Sequence, residues 1–218
     1  MSSNSGTEYP YTAREMAEMC GVYYLYDDDN YQPGERPVID ISIHKYHKDV
    51  LLALIVSCSL IDRMDIVFNF KSKNIRVNLL ASSGEEKSIA ARVMDFMRVR
   101  ARKEGFQLVT LTAFRSDRPL ILPEFPQKKY PWTGYIAWGK VGFLFLEDNE
   151  KGAFLGMVKN FEDYHLKMTM LHHLLATRKG TNYWAKNGFY WEGFYDFTNS
   201  TCNEILSDYL QLKGLKYA

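Results

Sequence analysis

The stretch SSGEEKSIA, Ser82 to Ala90, lies between a β-rich run, NIRVNLLA, and a run with helical periodicity, IAARVMDFMRVRARKEG. A polar, glycine-containing turn leading into a helix presents free backbone N–H groups, and those groups can bind phosphate. The same residues have a second use. Ser82 with Glu85, or Ser83 with Glu86, spells S-x-x-E, the pattern of a capping box. Glutamates near a helix start are also stabilised by its dipole. They would oppose an anion, because at ~5 Å and an effective dielectric near 20 a carboxylate repels a unit negative charge by about 3 kcal/mol. Lys87 offsets part of that repulsion. On the residues alone, capping and anion binding both stay open.

Other groups carry less. His44 and His47 form H-x-x-H, but two ligands do not complete a zinc site, and no Cys or carboxylate cluster has ligand spacing, so no metal is expected. His172 and His173 are adjacent on a helix-like run and face different ways. There is no G-x-S-x-G elbow and no G-x-x-x-x-G-K-[ST] loop. Cys20, Cys58 and Cys202 are three scattered thiols, which fits a reducing compartment better than a disulfide framework. The basic run RVRARK reads as the solvated end of a helix, and with a net charge of +1 nucleic acid is not an expected partner.

The elements that must position these groups can be read from periodicity. TAREMAEMCG predicts a short helix with Thr12 as N-cap, Glu15 three positions on and Gly21 at the end. VIDISIH alternates as a half-buried strand, whereas VLLALIVSCSLI is a continuous apolar run that fits either a strand or a helix. DIVFNF and IRVNLLA, flanking KSKN, predict an antiparallel hairpin. In the following helix Ile89, Val93, Phe96 and Met97 share one face, while Arg92, Asp95, Arg98 and Arg102 point elsewhere. Gly105 ends it, and FQLVTLTAF follows as a strand. The proline-rich segment RSDRPLILPEFPQKKYP predicts a loop. WTGYIAWGKVG predicts a short helix stopped by Gly142, FLFLE a short strand, and most of the remainder helix, with Ser200 capping the last one.

Composition sets the frame. The 218 residues are 46% hydrophobic and 24% charged, enough for a soluble α/β domain with a real core. The polar start MSSNSGTEYPYT does not resemble a signal peptide, and the longest apolar run is too short to span a bilayer, so no membrane association and a cytoplasmic location are expected. The expected division is a tail and short helix over 1–36, a core over 37–149, and a helical, aromatic-rich extension over 150–218 packed on that core. The extension's tyrosines and phenylalanines suit either a protein partner or closure of the core.

From Asp65 to Leu146 the chain resembles the core of the GNAT acetyltransferase superfamily. The matching pieces are DIVFNFKSKNIRVNLLA, SSGEEKSIAARVMDFMRVRARKEG, FQLVTLTAF and GYIAWGKVGF. The resemblance implies a mixed, largely antiparallel twisted sheet flanked by helices, and transfer of an acetyl group from acetyl-CoA to an amine. The donor would lie along Leu79, Leu80, Ala81, Ser82, Ser83, Lys87, Ser88, Ile89 and Ala90. This sequence departs from the family's Q/R-x-x-G-x-G/A pattern. Glu85 and Ser88 replace the first and central positions, and Ala90 fits the last. Of two stretches that match the family's second motif, IAWGKVGF is preferred to NYWAKNGF because a strand-like run follows it. The family's tyrosine acid aligns with Trp138, and Tyr135, three residues earlier, is the substitute expected from the sequence. The alternative function is a GNAT-like scaffold that binds or assembles without CoA chemistry.

Overall fold

β3 (Ile61–Asn69) lies antiparallel to β4 (Asn74–Ser82), the hairpin expected of DIVFNF and IRVNLLA about KSKN, with β3 starting earlier, at Ile61. The computed structural model describes residues 11–26, 38–47, 51–84, 88–116, 118–131 and 133–215, with the backbone alone at 44–47. The expected tail over 1–10, the turn-rich segment 27–37, Glu85, Glu86 and Lys87, and the side chains of His44 and His47 lie outside the described residues.

β1 (Asp40–His47) and β2 (Leu51–Cys58) continue the sheet beyond β3, each pair antiparallel. The ambiguous apolar run is therefore a strand. Leu52, Leu54 and Val56 are buried and their neighbours half-buried, the period of two that a pleated strand imposes. α2 (Ile89–Lys103) then carries the chain across the sheet to β5 (Leu108–Ala113), which lies parallel to β4. Parallel neighbours need such a crossover, because a tight turn cannot join them.

The sheet is completed from the C-terminal third. β7 (Trp191–Asp196) pairs antiparallel with β5 along its whole length, and the two-residue β6 (Leu144–Phe145) pairs with β7. The order is β1-β2-β3-β4-β5-β7-β6, an open, mostly antiparallel sheet with helices against it. Residues 150–218 are thus more than a helical extension. FYWEGFYDF supplies a strand between β5 and β6, because Trp191, Gly193 and Tyr195 turn inward while Glu192 and Phe194 do not.

One face of the sheet carries the core. Met64, Ile66 and Phe68 of β3, Ile75 and Val77 of β4, and Val109 and Leu111 of β5 meet Val93, Met94 and Met97 of α2. Removing each such side chain from water contributes about 1.5–3 kcal/mol. α2 is covered on more sides than the sequence suggests. α1 (Ala13–Met19), with its Thr12–Glu15 capping box, packs on it, as does the 3₁₀ turn Tyr23–Tyr26. Arg92 and Asp95, expected to point away from the core, are buried in consequence. Arg92 Nη2 donates to the Leu25 carbonyl at 2.6 Å, and Asp95 accepts from Arg98 at 3.0 Å.

The remaining helices are α3 (Gly134–Lys140), α4 (Asp148–Val158), α5 (Leu171–Leu175), α6 (Arg178–Asn187) and α7 (Ser200–Leu212). Gly142 stops α3 as expected, at φ +97, where a β-carbon would stand 2.5 Å from the Cys202 carbonyl oxygen. Asn199, and not Ser200, caps α7, its Oδ1 accepting from the Cys202 N–H at 3.2 Å. Trp184, Trp191, Tyr195 and Phe197 are fully buried, so these aromatics close the core. The indole N–H groups of Trp184 and Trp191 both donate to the Tyr135 carbonyl, at 2.9 and 3.1 Å. No helix among the described residues is long and apolar enough to cross a membrane.

Candidate functional site

β4 and β5 begin side by side and then separate. Their parallel ladder covers Asn74–Val77 against Leu108–Leu111 and goes no further. At that point β4 carries a bulge. Val77 faces Ile66 and Leu79 faces Asp65, leaving Asn78 without an opposite residue. A bulge bends and twists its strand, and the rest of β4, to Ser82, runs free of the ladder to β5. A cleft of about 270 Å³ opens there.

α2 closes one end of the cleft. Its N-cap is Ser88, in the left-handed region at φ +68, and the first bond back along the helix runs from Arg92 N–H to the Ser88 carbonyl. The N–H groups of Ile89, Ala90 and Ala91 therefore have no acceptor within the helix, and these residues line the cleft. The helix starts too late for either capping box expected from the sequence. Ser82 is the last residue of β4, and Ser83 donates its N–H to the Leu60 carbonyl at 3.1 Å. Ser88 makes no side-chain cap, and its Oγ lies 3.4 Å from the Tyr209 hydroxyl of α7.

Leu79, Leu80, Ala81, Ser82, Ser88, Ile89 and Ala90 all line the cleft. Ser83 is not among its walls, and Lys87 is outside the described residues. Tyr135 is not a wall either. Its ring is buried and its hydroxyl donates to the Ala185 carbonyl on α6 at 3.4 Å. Three residues turn a helix by about 300°, which sets Tyr135 about 60° around the axis from Trp138, and from there its hydroxyl meets α6 and not the cleft. Trp138 does face the cleft. Its indole N–H has no hydrogen-bond partner among the described residues, unlike those of Trp184 and Trp191. The stretch IAWGKVGF thus reaches the cleft through α3, whereas Trp184 of NYWAKNGF is fully buried.

Three polar groups at the cleft that no motif picks out make side-chain hydrogen bonds. Thr112, on β5 past the end of the ladder, donates to Glu192 Oε1 at 2.5 Å and accepts from Arg76 Nη2 at 2.9 Å. Glu192 in turn donates its backbone N–H to Glu150 Oε1 at 2.9 Å, and burial holds the Glu150 carboxyl above its ordinary range. Tyr130 comes from the proline-rich loop, where Leu120 and Tyr130 exchange backbone bonds of 2.9 Å. Its hydroxyl donates to Asp62 at 2.7 Å, and burial with that bond pushes its pKa up to about 12. Tyr209 is the third. Strand alternation could have flagged Thr112, which shares a face with Thr110. Nothing local marks Tyr209, because it reaches the cleft from 121 residues beyond Ser88.

Cys20 and Cys202 are buried, and burial pushes both thiols up, away from thiolate chemistry. No family model matches the chain, and no curated protein matches it.

Proposed function

We propose that the cleft binds an acyl-CoA thioester, acetyl-CoA in the simplest case, and that the chain transfers the acyl group to an amine, as in the GNAT acetyltransferases it resembles. The observation that carries this is the parting of β4 from β5 at a bulge, with the free first-turn amides of α2 at the far end of the same cleft. An extended amide-bearing arm fits between two separated strands, pairing with the strand edge that the bulge frees. A pyrophosphate fits on N–H groups at a helix start, where the dipole favours negative charge.

The chemistry then needs three things. The thioester carbonyl must be polarised, and backbone N–H groups beside Leu79 and Leu80 are the donors at hand. The amine must lose a proton. The Thr112 hydroxyl has one lone pair committed to Arg76 and one free, and it passes its own proton to Glu192 as it accepts one from the amine. As the amine nitrogen bonds to the carbonyl carbon, the C–S bond breaks and a thiolate leaves. The Trp138 N–H can hydrogen-bond that thiolate, and the proton it finally takes comes from solvent, since an indole does not ionise usefully.

Binding without transfer is the second function that an observation favours. An indole stands where the resemblance puts a phenolic acid, and Tyr135 is turned to Ala185. A thermal-shift titration with acetyl-CoA and desulfo-CoA, followed by an assay of thiol release with a panel of primary amines, separates the two. Stabilisation by both ligands with thiol release supports the transferase. Stabilisation alone supports the binding module, and no stabilisation at millimolar ligand removes both.

A further inference from the structure

A second cavity, of about 680 Å³, lies between α5, the start of α6, the end of α3 and α7. Its walls carry Lys140 and Lys213, an apolar side that includes Met170 and Ile205, and the imidazoles of His172 and His173, which share this cavity with ring centres 4.1 Å apart and do not face different ways as their adjacency suggests. Both lysines end helices, where a cation suits the dipole. Yet among the described residues neither ammonium makes an ion pair, and neither donates a hydrogen bond to a helix carbonyl. Glu204 and Asp208 line the same cavity and pair with neither. Burial and the nearby Lys213 together disfavour the charge on Lys140. One ring nitrogen of each histidine, Nδ1, is buried with no partner. Glu204 and Asp208 oppose an anion at these walls, but they leave the two ammonium groups unanswered among the described residues, and two ammonium groups beside two unmet imidazole nitrogens are an arrangement that an anion would relieve.

We propose that this second cavity binds an organic phosphate, its phosphate group held by Lys140 and Lys213 and its organic part resting against Met170, Ile205 and the paired imidazoles. A phosphate dianion answers both ammonium groups, where a carboxylate answers one. The volume suits a nucleoside-sized body. Tyr209 links the cavity to the cleft. It lines both, with its hydroxyl near Ser88 on one side and Lys213 Nζ 5.6 Å from its ring centre on the other. The phosphate is therefore either the far end of a molecule that also fills the cleft or a separate ligand sensed through Tyr209.

The probe is adenosine 3′,5′-bisphosphate, titrated calorimetrically into the full chain and into Lys140→Gln, Lys213→Gln and the double variant. The expected result is about tenfold weaker binding in each single variant and more in the double, with affinity falling as salt rises. Apo melting temperatures of the variants should be unchanged or higher, because a like-charge contact has been removed. Equal affinity for wild type and double variant, or no binding at millimolar probe, overturns the proposal. Competition with acetyl-CoA identifies the phosphate as the far end of the cleft's ligand, and simultaneous binding identifies a separate molecule. The probe has no thioester, so a chain that releases no thiol but shows the lysine dependence keeps this site and loses the transferase. Thiol release without lysine dependence does the reverse.

Discussion

A β-carbon on Gly134 would stand 3.0 Å from the indole nitrogen of Trp138. The glycine therefore keeps open the edge of that ring whose N–H has no hydrogen-bond partner among the described residues. Gly134→Ala must displace the ring, and it should weaken acetyl-CoA binding while leaving the melting temperature within a few degrees. The substitution Trp138→Tyr puts an ionisable phenol in the same place. Thiol release should rise by ~10-fold or more with it, and Trp138→Phe should not reproduce the gain. Equal rates for tyrosine and phenylalanine would show that the leaving group does not pass this position.

Thr112 of β5, a wall of the cleft, donates to the Glu192 carboxylate of β7 at 2.5 Å. Thr112→Val and Glu192→Gln keep shape but break the relay. Each should lower turnover by about 10²-fold with little change in KM for the thioester. A KM effect with unaltered kcat would make the pair a binding contact only.

Tyr135→Phe isolates the tyrosine that the resemblance suggests as a substitute for the family's acid. Its hydroxyl meets the Ala185 carbonyl at 3.4 Å, a long bond, and the ring stays buried in either case. The expected cost in urea unfolding is below about 1 kcal/mol, with turnover unchanged. A large loss of turnover would return Tyr135 to the chemistry.

His172 sets a pH dependence of stability. Burial first, and then His173, push its pKa down from 6.5 to about 4, with Asp208 opposing weakly. The unfolded chain binds a proton at this position as pH falls below 6.5, and the folded chain does not until about 4. The contribution is therefore complete above pH 6.5 and lost progressively toward pH 4. Thermal melts across that window should show a shallower decline for His172→Gln than for wild type. An identical slope would place this imidazole in solvent.

Local signals carried much of the architecture. Thr12 and Glu15 spelled a capping box that forms, the hairpin turns about the polar connection KSKN as its two β-rich flanks suggest, and Gly105 and Gly142 end helices at positive φ. Distant partners decided what was missed. Whether VLLALIVSCSLI was strand or helix depended on β1 and β3, and Arg92 is buried beside the 3₁₀ turn, which offers it the Leu25 carbonyl. The cleft was legible as far as β4 and the first turn of α2, which are contiguous in sequence. Tyr130 and Tyr209, and Glu192 behind Thr112, come from distant parts of the chain, where no spacing rule applies. The bulge at Asn78 leaves no mark in composition, since it is a property of register.

The position of β7 has a consequence for how the molecule is made. On the ribosome, residues 108–113 and 144–145 emerge long before the strand that joins them, 191–196. Until then the nascent chain exposes a bare strand margin, ready to pair with whatever is near. A version cut after residue 149 would keep that margin permanently. It is expected to be recovered from cells as aggregate, and co-expression of the missing C-terminal piece should return it to solution.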